Sequence, residues 1–189
     1  MNKPATQLQD MVEKATSILI IQADNPDGDS LASALALEEI LGERGKKVHL
    51  YCGVDIPDYL KHIKGWDRVD KTVPTKFDLS IIVDTSAQIL LEKLNNSEQR
   101  GWVASKPVIV IDHHADVPCD IPYATFVIND HEAVATGEAI YKISQELDWA
   151  LNLQAKTHIT SSILSDSLGL SSEGTTAQTY RIMADLIGG

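Results

Sequence analysis

The sequence predicts an α/β fold, with a Rossmann-like, mainly parallel sheet of about five strands and helices on both faces. Apolar segments of strand length alternate along the chain with longer amphipathic segments, an order typical of parallel sheets. The apolar segments are also continuous, without alternating polar residues, which indicates strands buried on both faces. The chain has 189 residues, enough for one domain of this kind.

The first half of the chain supplies three predicted strands, each followed by a helical or loop segment. These strands are SILIIQ at 17–22, KKVHLYC at 46–52 and DLSIIVD at 78–84. Leucines and alanines at helical spacing follow the first strand, and Gly45 is a suitable helix stop. The segment 55–65 predicts a short helix, with Asp55 as its cap and Pro57 in its first turn.

The second half of the chain begins with a helical region at 86–105, which we expect to break near LNNSEQRG. A fourth strand is predicted in KPVIVIDHH at 106–114, and an edge strand in YATFVIND at 123–130. The remaining pattern is helical, in three segments at 133–149, 153–167 and 175–189.

Composition excludes several classes of partner. The formal net charge is −11, which disfavours duplex nucleic acid because phosphate binding requires clustered Lys and Arg. No apolar segment approaches membrane length, and the first residues contain no signal-peptide core. We therefore expect a cytoplasmic protein without a membrane partner. A small phosphate-bearing ligand is compatible with the charge, because bound divalent cations reverse its sign locally.

Ligand-type side chains follow three of the predicted strands. They are Asp27 and Asp29, then Asp84, then Asp112, His113 and His114, with Asp166 on or after a helix as a fourth candidate position. A single Asp after a strand is commonly a helix cap or a turn residue. A parallel sheet, however, brings the carboxyl ends of its strands to one edge, where the acids would repel one another.

Two divalent metals about 3.5–4 Å apart are the common solution to such crowding. Carboxylates mixed with imidazole, without thiolate, favour Mn²⁺, Mg²⁺ or Co²⁺.

The segments NPDGDS, IIVDTS, VIDHH and SILSDS resemble, in this order, the four motifs of the DHH phosphoesterase family. The resemblance covers nearly the whole chain, and NPDGDSLASALAL is most similar to the nanoRNase and pAp-phosphatase branch, near the RecJ-like exonucleases. It implies a phosphodiesterase or phosphatase that hydrolyses short oligonucleotides, pAp or cyclic dinucleotides by metal-activated water. The implied cofactor is Mn²⁺, as one or two ions.

The resemblance also implies a role for each motif residue. The implied metal ligands are Asp27 for the first ion, Asp29, His113 and Asp166 for the second, and Asp84 for both. His114 would contact the substrate phosphate as a catalytic donor, and Asp112 would orient the groups beside it. Thr136 and His131 are further candidates for substrate contact; helix packing is the alternative for Thr136 and a surface location for His131.

One position departs from the family pattern. The first motif of the family begins with a metal-binding histidine four residues before its first Asp, and this chain has Ala23 there. The first ion would keep only Asp27 and Asp84 as protein ligands, so we expect weaker binding at that position. The candidates to fill the gap are water, the substrate, Gln22, Asp24 and Asn25.

Two other functions remain open from the sequence. Ala23 is compatible with a degenerate site, and thus with a nucleotide-binding, metal-binding or regulatory protein. A pyrophosphatase or polyphosphate-type hydrolase is the other alternative. The resemblance assigns residues 1–189 to the DHH catalytic domain, and we expect the C-terminal substrate-binding domain of the family to be absent from this chain. A homodimer is compatible with the sequence.

Overall fold

A computed structural model describes residues 3–115 and 118–188, and its centre is a six-stranded sheet in which every pair of neighbouring strands is parallel. The strands are β1 (Ser17–Ile21), β2 (Lys47–Tyr51), β3 (Val69–Asp70), β4 (Leu79–Val83), β5 (Val108–Asp112) and β6 (Phe126–Asn129). Their order is β3-β2-β1-β4-β5-β6. The predicted fold class is confirmed, and the strand beyond the predicted five is the two-residue β3, too short to leave an apolar pattern.

Helices cover both faces of the sheet, as predicted. They are α1 (Lys3–Lys14), α2 (Gly28–Glu43), α3 (Glu92–Asn95), α4 (Gln99–Ala104), α5 (Thr136–Glu146), α6 (Leu153–Asp166) and α7 (Ala177–Gly188). Side chains alternate between the faces along each strand. Ile18 and Ile20 of β1 join the core cluster that contains side chains of α2, α5 and α6, whereas Leu19 and Ile21 join a second cluster on the opposite face. None of the described helices is long and apolar enough to cross a membrane.

Most predicted elements are present, and two features differ from the prediction: the cap at Asp55 and helix α1. Gly45 has a φ of 75° just after α2 and stops the helix as predicted. The prediction of Asp55 as a helix cap is wrong, because only a 3₁₀ turn, Asp58–Leu60, forms here, with Pro57 at its N-cap. Asp55 instead pairs with Lys71, with 2.7 Å between Oδ1 and Nζ. Helix α1 was not predicted.

The strand order places the functional loops at the centre of the sheet. From β1 the chain proceeds outward to β2 and β3, and from β4 it proceeds outward in the other direction to β5 and β6. The order therefore reverses between β1 and β4. In open parallel sheets, ligands bind beyond the carboxyl ends of the strands at such a reversal, and the loops after β1 and β4 carry the NPDGDS and VDTS motifs.

Candidate metal centre

One imidazole nitrogen faces three carboxylates at this edge of the sheet. His113 Nε2 lies 3.6 Å from Asp29 Oδ2, 3.6 Å from Asp84 Oδ1 and 3.3 Å from Asp166 Oδ2. The four side chains come from the first turn of α2, the residue after β4, the residue after β5 and the last residue of α6. We call Asp29, Asp84, His113 and Asp166 the inner cluster.

The inner cluster contains groups that could hold a divalent metal ion. Asp29, His113 and Asp166 offer ligand atoms that all lie within 4.8 Å of one another, and Asp84 forms a second such group with His113 and His114. Ligands bound at about 2.0–2.2 Å around one ion lie about 3 to 3.6 Å from one another, which agrees with the separations between His113 and the carboxylates. His113 Nε2 is buried and has no hydrogen-bond partner among the described residues, so a ligand position is open on that nitrogen. Oxygen and imidazole donors without thiolate suit Mn²⁺, Mg²⁺ or Co²⁺.

Asp29 is fully buried, and donors hold both of its oxygens. The hydroxyls of Ser33 and Ser162 donate to Oδ1 at 2.8 and 2.6 Å, and the backbone N–H of Thr136 donates to Oδ2 at 2.7 Å. Burial, followed by the charge of Asp166, raises the pKa of Asp29. A cation at this position would relieve that cost, because it favours the ionised carboxylate.

Asp84 is held in a backbone conformation that few residues other than glycine adopt. Its φ is 60°, in the left-handed region, and such strain is concentrated at functional sites. Thr136 Oγ1 donates to Asp84 Oδ1 at 2.9 Å. Burial, followed by the charges of Asp29 and Asp27, raises the pKa of Asp84 well above its ordinary value.

Thr136 therefore organises two of the carboxylates. It is fully buried at the start of α5, and its backbone and side-chain donors are directed to Asp29 and Asp84. The positive end of the α5 dipole also favours a carboxylate here. This geometry gives Thr136 a positioning role, and its contact with substrate stays a prediction.

A glycine lets two helices meet at the site. A Cβ on Gly28 would lie 2.4 Å from Ser165 Oγ, so a larger residue would push α2 away from α6. The close approach brings Asp29, in the first turn of α2, toward Asp166, at the end of α6. The glycine of the PDGD sequence thus serves packing at the candidate metal centre.

His113 is oriented by a backbone carbonyl. Its Nδ1 lies 3.3 Å from Ala133 O, and a proton on Nδ1 leaves Nε2 with the lone pair that a metal ligand needs. Burial acts to lower the pKa of His113, but its contacts with Asp166 and Asp29 outweigh burial and raise that pKa. In the absence of a cation, a proton on His113 would stabilise the three carboxylates.

His114 and Asp112 form a second unit beside the inner cluster. Asp112 is buried, and its Oδ1 lies 2.7 Å from His114 Nδ1, while Ser86 Oγ donates to Oδ2 at 2.6 Å. The hydrogen bond with Asp112 raises the pKa of His114, which favours a protonated, donating imidazole. Burial acts to raise the pKa of Asp112, but the bonds from His114 and Ser86 lower it. The side chain of His114 is half exposed.

The segment 22–27, which we call the outer loop, is built differently. Asp27 is exposed, and its Oδ1 accepts a hydrogen bond from Ser30 N at 2.9 Å as the N-cap of α2. Ala23 is buried and offers no ligand atom. Asp24 Oδ2 accepts from Lys93 N at 2.7 Å, so this carboxylate anchors α3.

The structure thus brings together most of the predicted site residues. His131 is exposed on the turn after β6, and its contact with substrate stays a prediction, as do the catalytic roles of His114, Asp84 and Asp112. Ser33, Ser86 and Ser162 were not predicted, although each donates to a site carboxylate. A single serine within a helical pattern carries no signal of such a bond.

Comparisons with known proteins show the family of the chain. The sequence model described as the DHH family, N-terminal domain, matches residues 17–168. The chain belongs to the DHH family. A curated relative, the bifunctional oligoribonuclease and PAP phosphatase NrnA of Thermus thermophilus, is 25% identical over 168 residues, covering 87% of this chain and 47% of the relative. The chain therefore spans less than half the length of this curated relative.

Two solved structures share the fold. An exopolyphosphatase-related protein from Bacteroides fragilis has a TM-score of 0.86 and 20% identity, with 100% of this chain and 58% of that chain covered. A Methanococcus jannaschii protein, provisionally described as a family II inorganic pyrophosphatase, has a TM-score of 0.68 and 19% identity, with coverages of 90% and 55%. At these identities, the two structures show a shared fold.

Proposed function

We propose that this DHH domain is the catalytic part of a metal-dependent phosphoesterase that hydrolyses small nucleotide phosphate esters, with Mn²⁺ as the metal. The observation that carries the proposal is the inner cluster, where three carboxylates face one unpaired imidazole nitrogen at 3.3–3.6 Å. The proposal is supported by a curated relative, NrnA of Thermus thermophilus, which is described as a bifunctional oligoribonuclease and PAP phosphatase. We therefore favour short oligonucleotides, pAp or cyclic dinucleotides as substrates.

The chain contributes ligands, orientation and a proton donor to this reaction. Asp29, His113 and Asp166 would hold the second ion, Asp27 would hold the first, and Asp84 would contribute to both. When bound, divalent ions would activate water and withdraw charge from the phosphoryl oxygens. His114, held by Asp112, would donate a hydrogen bond to a phosphoryl oxygen as negative charge develops there.

The supporting shell fixes these groups before a substrate arrives. Ser33, Ser162 and Thr136 hold the oxygens of Asp29 and Asp84. A preorganised site of this kind does not have to reorient its dipoles during the reaction. This is the reason to place the catalysis at the inner cluster and the neighbouring His114.

The test is Mn²⁺-dependent hydrolysis measured with a panel of substrates. The purified protein is incubated with pAp, a short oligonucleotide, a cyclic dinucleotide and pyrophosphate, with and without Mn²⁺. We expect Mn²⁺-dependent release of phosphate or mononucleotide from at least one of the nucleotides. Asp84→Asn should lower that rate about a thousandfold, the effect of losing roughly 4 kcal/mol of charge stabilisation.

Asp148→Asn is the matched control, because Asp148 is an exposed acid just after α5, outside the site. An Asp84→Asn protein as active as the Asp148→Asn protein would show that the assignment is wrong. Hydrolysis of pyrophosphate alone would favour the pyrophosphatase alternative. Tight Mn²⁺ or nucleotide binding without turnover would favour the binding or regulatory alternative.

A further inference from the structure

A serine two residues after Asp84 contacts a carboxylate outside the inner cluster. Ser86 is buried, and its Oγ donates to Asp112 Oδ2 at 2.6 Å. The sheet brings the two residues together, because Asp84 N donates to Ile111 O at 2.9 Å and so continues the pairing of β4 with β5 by one residue. The turn after β4 therefore supplies Asp84 to the inner cluster and Ser86 to the first residue of the DHH sequence.

The carboxylate of Asp112 is held at both of its oxygens. Its Oδ1 accepts a hydrogen bond from His113 N at 2.8 Å and lies 2.7 Å from His114 Nδ1. The partner described for Oδ2 is the hydroxyl of Ser86. Because Asp112 is fully buried, loss of this hydroxyl would leave an ionised oxygen without a described donor, and the carboxylate would rotate toward another one. The Ser86 hydroxyl thus fixes the plane of the Asp112 carboxylate.

The backbone of Ser86 is itself fixed by the chain that follows β5. Ser86 O accepts a hydrogen bond from Asp120 N at 3.1 Å, and Asp120 Oδ1 accepts one from Gln88 N. These two bonds connect the turn after β4 with the residues around Asp120. The hydroxyl of Ser86 is therefore carried on a backbone that has little freedom to move away from Asp112.

The orientation of His114 depends strongly on this carboxylate. The side chain of His114 is 49% exposed, whereas that of His113 is 11% exposed and lies within the inner cluster. The hydrogen-bond partner described for the His114 ring is Asp112. A ring nitrogen of His114 lies within 4.8 Å of the ligand atoms of Asp84 and His113. Rotation of the Asp112 carboxylate would therefore turn the imidazole of His114 relative to the metal centre.

We infer that Ser86 is a positioning residue: its hydroxyl fixes the Asp112 carboxylate, and Asp112 holds the His114 imidazole in the orientation that donates to a phosphoryl oxygen. This inference rests on the proposed function, in which His114 is the donor. It extends the pair of His114 and Asp112 to a chain of three side chains, in which Ser86 acts through Asp112. Loss of an outer partner of this kind typically lowers activity about tenfold to a hundredfold.

A double-mutant cycle tests this chain of contacts. The kcat, the KM and the number of bound Mn²⁺ ions are measured for the wild-type protein, Ser86→Ala, His114→Gln and the double variant. We expect Ser86→Ala to lower kcat about tenfold to a hundredfold, with the KM and the metal count unchanged. In the His114→Gln background, Ser86→Ala should lower kcat no further, because the effects of residues that act through one another do not add.

Ser80→Ala is the matched control and should retain the wild-type kcat. Ser80 is a fully buried serine on β4, and its Oγ has no hydrogen-bond partner among the residues that the structure describes.

Proton NMR supplies a readout that does not depend on turnover. With Mg²⁺ in place of the paramagnetic Mn²⁺, the wild-type protein should show a downfield signal from the proton on His114 Nδ1, which His114→Gln identifies by losing it. Ser86→Ala should shift or lose this signal, because the carboxylate that accepts the proton is no longer fixed. Ser80→Ala should keep it unchanged.

Three results would overturn the inference. They are a wild-type kcat in Ser86→Ala, an equal loss of kcat with and without the His114 side chain, and a downfield signal that is absent from the wild-type protein or unchanged in Ser86→Ala. If Ser86→Ala does not fold, Ser86→Cys keeps a weaker donor and takes its place in the same cycle, with a smaller loss of kcat expected. The expected NMR change without hydrolysis of any substrate would contradict the proposed function and still show that Ser86 orients His114.

Discussion

The inner cluster and the outer loop differ in how their ligands are held. The inner cluster takes its side chains from four separate elements, and Ser33, Ser162 and Thr136 fix its carboxylates from a second layer. The outer loop is one short segment, in which Asp27 is exposed and its Oδ1 already caps α2. Preorganised ligands bind with less loss of conformational freedom. The proposed function therefore implies different affinities at the two neighbouring metal positions.

Removal of an inner-cluster ligand should have the largest effect. Asp166→Asn keeps the shape of the side chain but removes the charge that faces His113 Nε2 at 3.3 Å. We expect the rate with saturating Mn²⁺ to fall about a thousandfold, because several kcal/mol of charge stabilisation depend on the metal. Steady-state hydrolysis and Mn²⁺ titration measure this. If Asp166→Asn bound Mn²⁺ as tightly as the wild-type protein, the inner cluster would not be the principal binding position.

Replacement of the donor beside the cluster should separate catalysis from metal binding. His114→Gln should lower kcat about a hundredfold to a thousandfold, the usual cost of losing a donor to developing charge, while the number of bound Mn²⁺ ions stays the same. His62→Gln, at an exposed histidine outside the cluster, is the control and should retain activity. If His114→Gln lost metal instead, His114 would have to be reassigned as a ligand.

Loss of a supporting hydroxyl should have a smaller effect. Ser162→Ala removes the 2.6 Å hydrogen bond to Asp29 Oδ1, and removal of such an outer partner weakens metal binding about tenfold to a hundredfold. Ser161→Ala is the matched control on the same helix, because the Ser161 hydroxyl donates to Thr157 O and not to the site. Equal Mn²⁺ affinities in the two variants would show that the second layer does not preorganise the inner cluster.

His158, a buried histidine outside both regions, should give the smallest effect, and this effect on stability should depend on pH. Burial lowers the pKa of His158 below its ordinary value of 6.5, whereas carboxylates raise that of His113. Below pH 6.5 the unfolded chain binds a proton that folded His158 resists, so the free energy of unfolding should fall as pH falls.

The loss should amount to at most about 1.4 kcal/mol per pH unit, and it should be absent above pH 6.5. Urea unfolding of the wild-type protein and His158→Leu on both sides of this pH measures the difference. If the two proteins lost stability equally on acidification, His158 would not be the titrating group.

The sequence predicted the strand ends well, because long apolar segments and their terminal acids are local signals. The residues after β1, β4 and β5 were all identified as site candidates, and the parallel sheet does bring them together. Helix α1 was not predicted because its sequence is largely polar; only a few side chains, such as Leu8 and Val12, reach the core. Strand β3 has two residues, too few for a periodic pattern.

The contacts that hold the site could not be predicted from one sequence. Ser162 reaches Asp29 across a separation of 133 residues, and the sequence around a serine does not show which distant carboxylate it will meet. The same holds for Asp24. Its position in the sequence makes it a candidate metal ligand, but its Oδ2 accepts a hydrogen bond from Lys93 N. Such pairings depend on how α2, α3 and α6 pack on the sheet.

The most direct test of the difference between the two regions is a Mn²⁺ titration of the matched variants Asp27→Asn and Asp29→Asn. Each variant removes one carboxylate charge, and the two positions are separated by a single residue. We predict that Asp27→Asn retains one tightly bound ion and loses only the weaker one, whereas Asp29→Asn loses the tightly bound ion. Equal losses in the two variants, or loss of the tight ion in Asp27→Asn alone, would contradict the assignment of the inner cluster as the principal metal position.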